Sequence, residues 1–135
     1  MKRLVLLLFS FFLFQNISAQ HHLLLREATP SIKQKAEDEV RELAKMLALG
    51  GEQRLLVRNA LMVHEVQRQK VMAANWSPER KKKWLQRIDV RKTSELADIL
   101  TRYQFNYYLQ RKREIRKKHE KASESIYKER SLGPL

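Results

Sequence analysis

The side chains with the most to offer a ligand in this chain are cationic. Arg80-Lys81-Lys82-Lys83 form one run, and Arg111-Lys112-Arg113 open a second that extends to Lys118. Aromatic rings lie close by in sequence. Trp76 and Trp84 bracket the first run, and Tyr103, Tyr107 and Tyr108 precede the second. A cation beside an aromatic face suits weak contact with disordered chains. The net charge of +13 exceeds what solubility requires and favours acidic partners. Arg80, Lys81, Lys82, Lys83, Arg111, Lys112, Arg113 and Tyr107 are therefore the candidate binding residues. Trp84, Phe105 and Tyr108 read instead as ordinary core.

Other chemistries find less support. Cysteine is absent, so there is no thiol nucleophile and no disulfide. No serine sits in a nucleophile-elbow pattern, and no glycine-rich phosphate loop occurs. Asp and Glu fall mostly near Lys or Arg, the pattern of solvated surface pairs. No catalytic residue is assigned, no cofactor is expected, and the chain does not read as an enzyme. The histidines are His21, His22, His64 and His119, with no i,i+4 ligand pair among them. One metal chemistry is open at the N-terminus. If cleavage left Gln20 first, its free amine, two amides and the His22 imidazole would suit a square-planar copper or nickel ion.

The first residues read as an export signal. Lys2 and Arg3 precede an apolar run from Leu4 to Phe14, and Ile17-Ser18-Ala19 offers a cleavage point near Ala19. That run is short for a membrane span, and no second apolar stretch is long enough to cross a bilayer. The expectation is an exported, periplasmic protein without a transmembrane segment in its mature chain. Export argues against nucleic acid as the acidic partner. Loss of residues 1–19 leaves 116 residues and a charge of +11.

The elements that must position these side chains are helical throughout. Residues 20–29 read as a tether, although Leu23-Leu24-Leu25 could dock on the body, and residues 30–128 read as the folded domain. Thr29-Pro30 is an N-cap followed by proline at the first helical position. Ile32, Ala36, Val40, Leu43 and Leu47 then recur as a helical stripe, which Gly50-Gly51 ends. A second helix runs from about Glu52 to Ala74 with a wide apolar face that includes Leu55, Met62 and Val66. Ser77-Pro78-Glu79 starts a third, whose middle, Asp89 to Glu95, is polar enough to predict a bend or an exposed stretch. A fourth follows from Thr101 to about Tyr127, with Phe105, Tyr108, Ile115, Ala122 and Ile126 at heptad-like spacing. Ser131 to Leu135 should fray. The expected fold is all-α, with about four helices forming either two helical hairpins or one long bent helical hairpin. The stripes are narrow for so charged a chain, which predicts a homodimer.

The boundary between the third and fourth helices carries the most specific signal. In Leu100-Thr101-Arg102-Tyr103-Gln104, Thr101 can accept from the Gln104 N–H while Gln104 reaches back to the Thr101 N–H, a capping box. Leu100 and Phe105 are spaced as a hydrophobic staple around it. A degenerate copy, Leu49-Gly50-Gly51-Glu52-Gln53, keeps Leu49 and Gln53 but has glycine at the cap.

With the export signal, the absence of cysteine and the basic helical body, these motifs resemble the Spy/CpxP family of periplasmic LTxxQ proteins, over about residues 31–120. The resemblance implies an antiparallel, cradle-like dimer. It also implies an ATP-independent, holdase-type chaperone that binds unfolded or aggregation-prone clients on a basic, partly apolar surface. Other members regulate envelope-stress signalling or respond to metals, so a sensor that binds one signalling partner is the alternative. The family motif maps onto Leu100, Thr101 and Gln104, and partly onto Leu49 and Gln53, as structural elements. No metal-ligand motif carries over.

Overall fold

The computed structural model describes residues 21–131. The export segment, Gln20 and the last four residues of the predicted tail lie outside them. Among the described residues every regular element is a helix: α1 over residues 21–26, α2 at Pro30–Leu47, α3 at Gly51–Ala73, α4 at Pro78–Ile99 and α5 at Arg102–Ser131. No described helix is long and apolar enough to cross a membrane. The chain divides into two compact units, one ending at Ile99 and the other beginning at Leu100.

In the first unit α3 is the central helix, packed against α2 and against α4. Its middle, residues 60–64, is buried at five successive positions because neighbours cover it from two directions. The predicted α2 stripe of Ile32, Ala36, Val40, Leu43 and Leu47 is buried in full. Val57 of α3 and Leu96 of α4 are the largest side chains shielded almost completely from water. Leu55, expected on the buried face, is 53% exposed and its neighbour Leu56 is also exposed. The α2–α3 packing takes Val57 and Ala60 inward, and these lie on a different arc from Leu55.

The helix starts follow the cap residues closely. Thr29 Oγ1 accepts from Ile32 N at 3.3 Å with Pro30 behind it, and Ser77 Oγ accepts from Arg80 N at 3.3 Å ahead of Pro78. Helix α2 stops two residues before the glycines. Ala48 takes the left-handed conformation at φ 50°, and its N–H reaches the Ala44 carbonyl. Gly50, at φ −68° and ψ 167°, is an N-cap in an extended conformation open to any residue, so the glycine pair starts α3 rather than ending α2.

The two related motifs do the same job with different completeness. At the second, Gln104 N donates to Thr101 Oγ1 at 3.3 Å and Thr101 N donates to Gln104 Oε1 at 2.9 Å, so the capping box closes. Leu100 is buried, and Phe105 stacks on Tyr108 with ring centroids 6.3 Å apart. At the first, Gly50 N donates to Gln53 Oε1 at 3.2 Å, but glycine has no hydroxyl to return the bond. Gln53 spends its other end on a distant contact: Nε2 donates to the Ile99 carbonyl at 3.2 Å. The glutamine of the first motif thus starts α3 and satisfies a carbonyl at the end of α4, just ahead of the second motif.

Of the expectations for the polar middle of α4, the exposed stretch is the one found, within a helix continuous from Pro78 to Ile99. Asp89, Val90 and Arg91 are exposed, and Glu95 is polar because it accepts from two histidines. The predicted tether is also ordered. Residues 21–26 are helical, Ala28 is buried, Glu27 pairs with Lys70, and His21 bonds Glu95.

Two substitutions test the caps in opposite directions. Thr101→Ala removes a hydroxyl acceptor and should lower stability by about 1 kcal/mol in a thermal melt followed by circular dichroism. Gly50→Ser supplies the missing acceptor, and a Cβ there meets nothing within 4 Å. It should raise stability by roughly 0.5–1 kcal/mol, from the added cap bond and the stiffer unfolded chain. A loss on Gly50→Ser would show that the first motif does not cap α3.

Candidate functional site

The surface that combines apolar, aromatic and cationic groups lies where the end of α3 meets the start of α4. A groove of about 200 Å³ is lined there by Val71, Trp76, Trp84 and Ile88, with Arg87, Arg91 and the Glu27-paired Lys70 at its rim and no carboxylate in the lining. The fold explains its position. Residues 74–77 leave the helices, so Trp76 sits on the connection, and Trp84 lies two turns into α4 on the same side. The two indoles are half-buried, tilted by 35° with centroids 6.0 Å apart. Arg80 stands 4.5 Å from the centre of the Trp76 ring and Arg87 5.2 Å from that of Trp84. Each cation therefore rests on the electron-rich face of a ring while its remaining N–H groups reach water.

The sequence-predicted residues take different places. Arg80 belongs to this aromatic cluster. Lys81 does not serve as a free cation: its Nζ donates to the Met72 carbonyl at 2.8 Å and closes the C-terminal turn of α3. Lys82 and Lys83 are exposed on the first turns of α4. Trp84, read as core, is instead a half-buried wall of the groove. In the second unit Arg113 and Tyr107 are exposed, Lys112 is half-buried, and Arg111 pairs with Glu114 at 2.9 Å. That contact holds the Glu114 carboxyl below its usual range, with Gln110 assisting. Phe105 is half-buried and Tyr108 buried. His22 is exposed, and the Gln20 amine proposed beside it lies outside the described residues. Among the described residues no cluster of His, Asp and Glu is arranged to hold a metal ion. Arg87, Arg91 and Val71 were not singled out from the sequence. The i+3 and i+7 spacing of Arg87 and Arg91 from Trp84 was the available signal.

A second polar cluster organises the first unit. Glu95 accepts from His64 Nε2 at 2.7 Å through one oxygen and from His21 Nε2 at 3.0 Å through the other. An ionised carboxylate only accepts, so both Nε2 atoms carry protons. His64 is buried, and its Nδ1 has no hydrogen-bond partner. The His64 bond, with the charges of the two histidines behind it, holds the Glu95 carboxyl below its ordinary value near 4.5 against the opposing effect of burial. Glu65 behaves similarly: burial pushes its carboxyl up, but hydrogen bonds from Lys35 and Arg68 together outweigh it.

Compared with known proteins, the chain matches no family model, no curated protein and no solved structure.

The Glu95 cluster has a pH signature. Its carboxyl is lowered on folding, so its contribution is complete above the unfolded value near 4.5 and is lost as pH falls through the lower folded value. Glu95→Gln should cost about 1–2 kcal/mol at neutral pH, because the amide keeps one neutral acceptor and turns the other oxygen into an N–H donor that faces a histidine N–H. Denaturant unfolding across pH 3–7 should show a smaller acid loss for Glu95→Gln than for the parent. Parallel curves would show that Glu95 is not held in its charged form.

Proposed function

We propose that the protein is a nucleotide-independent holdase of the Spy/CpxP kind, acting outside the cytoplasm on unfolded, acidic segments of other proteins. The observation that carries this reading is the open Trp76–Trp84 groove, apolar on its floor and cationic on its rim. The closed capping box at Thr101–Gln104 supports the motif on which the family reading rests. The homodimer and the cradle shape come with the same reading and stand or fall with it.

The physics divides into two steps. The charge of +11 that remains without residues 1–19 attracts an acidic chain from a distance, an attraction screened over about 8 Å at physiological salt. Apolar side chains of the client then displace water from the indoles, Val71 and Ile88, at about 25 cal/mol for each Å² buried. A groove of this size covers only one or two side chains, so each contact is weak and reversible. Release then follows from fast dissociation and needs no energy source.

Aggregation of reduced, acidic α-lactalbumin is the direct assay. The protein should suppress light scattering at equimolar concentration in low salt, and less as salt is raised. Arg87→Glu and Trp84→Ala should each raise the concentration needed by about tenfold. Arg87 is exposed, so its variant keeps the fold and isolates the effect of charge. No suppression at low salt would contradict the proposal.

A further inference from the structure

The second half of α5 presents a seam with a defined chemistry. From Arg111 onward every described side chain except that of Lys112 is exposed, including Ile115 at 48% and Ile126 at 53%. Ile115, His119, Ala122 and Ile126 follow one another at intervals of four, three and four, the a/d spacing of a coiled-coil seam. In that register the flanking e and g positions are Arg111, Arg116, Lys118, Ser123 and Ser125. None is acidic. The carboxylates of this segment, Glu114, Glu120 and Glu124, all fall at positions away from the seam. Arg111 and Arg116 lean on Glu114 and Glu120 at 2.9 and 3.8 Å. These are exposed pairs within one helix, weakly held and easily exchanged.

Charges at e and g choose the partner of a coiled-coil helix. A second copy of α5 would set Arg and Lys against Arg, Lys or Ser in either orientation, with no acid to meet them. A helix carrying Glu at its e and g positions meets all three cations. We propose that the Arg111–Ile126 face of α5 is one half of a heteromeric coiled coil, and that its partner is an acidic amphipathic helix of another protein. The seam spans little more than two heptads and includes a lysine at its first a position (Lys112), a small residue and a histidine, so the complex is weak and suits a transient partner. This inference goes beyond the holdase reading and stands without it, since it uses neither tryptophan of the groove. A homodimer would then use another surface.

The test uses the whole protein and a synthetic peptide of about three heptads with Leu at d, Ile at a and Glu at e and g. Controls are a peptide of the same composition in shuffled order and one with Lys replacing Glu. Titration calorimetry and circular dichroism should show one-to-one binding of the ordered acidic peptide with a gain of helix. The shuffled peptide should bind at least about tenfold more weakly, and the Lys peptide not at all. Ile115→Asn and Ile126→Asn, both at exposed positions, should abolish the preference for heptad order, whereas Trp84→Ala should leave it intact. Equal binding of ordered and shuffled peptides would reduce the face to a charge-only polyanion surface and overturn the proposal. So would no binding of either, or cross-linking of residues 115 and 126 between two copies of the chain.

Discussion

One side-chain amide joins two helix ends of the first unit. Gln53 accepts the Gly50 N–H through Oε1 and donates to the Ile99 carbonyl through Nε2. The first bond fixes where α3 begins. The second reaches 46 residues along the chain to the last residue of α4. Helix ends leave backbone groups without partners, and those near a core must be satisfied. One glutamine serves two such ends and so aligns the first turn of the central helix with the last turn of its neighbour. Alanine there would lose both bonds. Glutamate would keep the acceptor and turn the donor into a second acceptor facing a carbonyl.

That alignment matters because packing alone must hold the first unit together. The chain has no disulfide, and its core is a limited set of aliphatic side chains along α3 and the inner stripes of α2 and α4. Polar contacts set direction rather than bulk stability. Glu95 ties α1 and α3 to α4 through His21 and His64, Lys81 closes the end of α3, and Arg54 Nε donates to the Leu49 carbonyl at 3.1 Å in the α2–α3 turn. With the helix ends fixed, the connection at residues 74–77 holds Trp76 beside Trp84, and the groove follows from the geometry of that turn. On the proposed reading the rigid scaffold keeps the indoles partly exposed, at some cost in solvation, so that a client can cover them.

Much of this was legible from the residues. The α2 stripe has the right period and a threonine–proline start, and all five of its positions are buried. The capping box at Thr101 was readable because hydroxyl and glutamine stand three apart, a purely local arrangement. Local rules failed where a distant residue decided the outcome. Leu55 has the hydrophobicity of a core residue, but the direction from which α2 approaches leaves it outside. The polar middle of α4 looked weak because Glu95 has no visible partner in sequence; its partners are 31 and 74 residues away. Lys81 looked like part of a cationic patch because nothing local shows that the end of α3 lies within its reach. The segment before α2 follows the same rule, since Ala28 and Glu27 find partners only in the fold.

Amide hydrogen exchange at Gly50 and Thr101 tests the central claim most directly, because each N–H is held by a glutamine side chain rather than by a helix ladder. Both should exchange markedly more slowly than unstructured backbone, and Gln53→Ala should release Gly50 while Thr101 stays protected. Fast exchange at both sites in the parent protein would mean that neither glutamine caps its helix, and the account of how these helices are joined would be wrong.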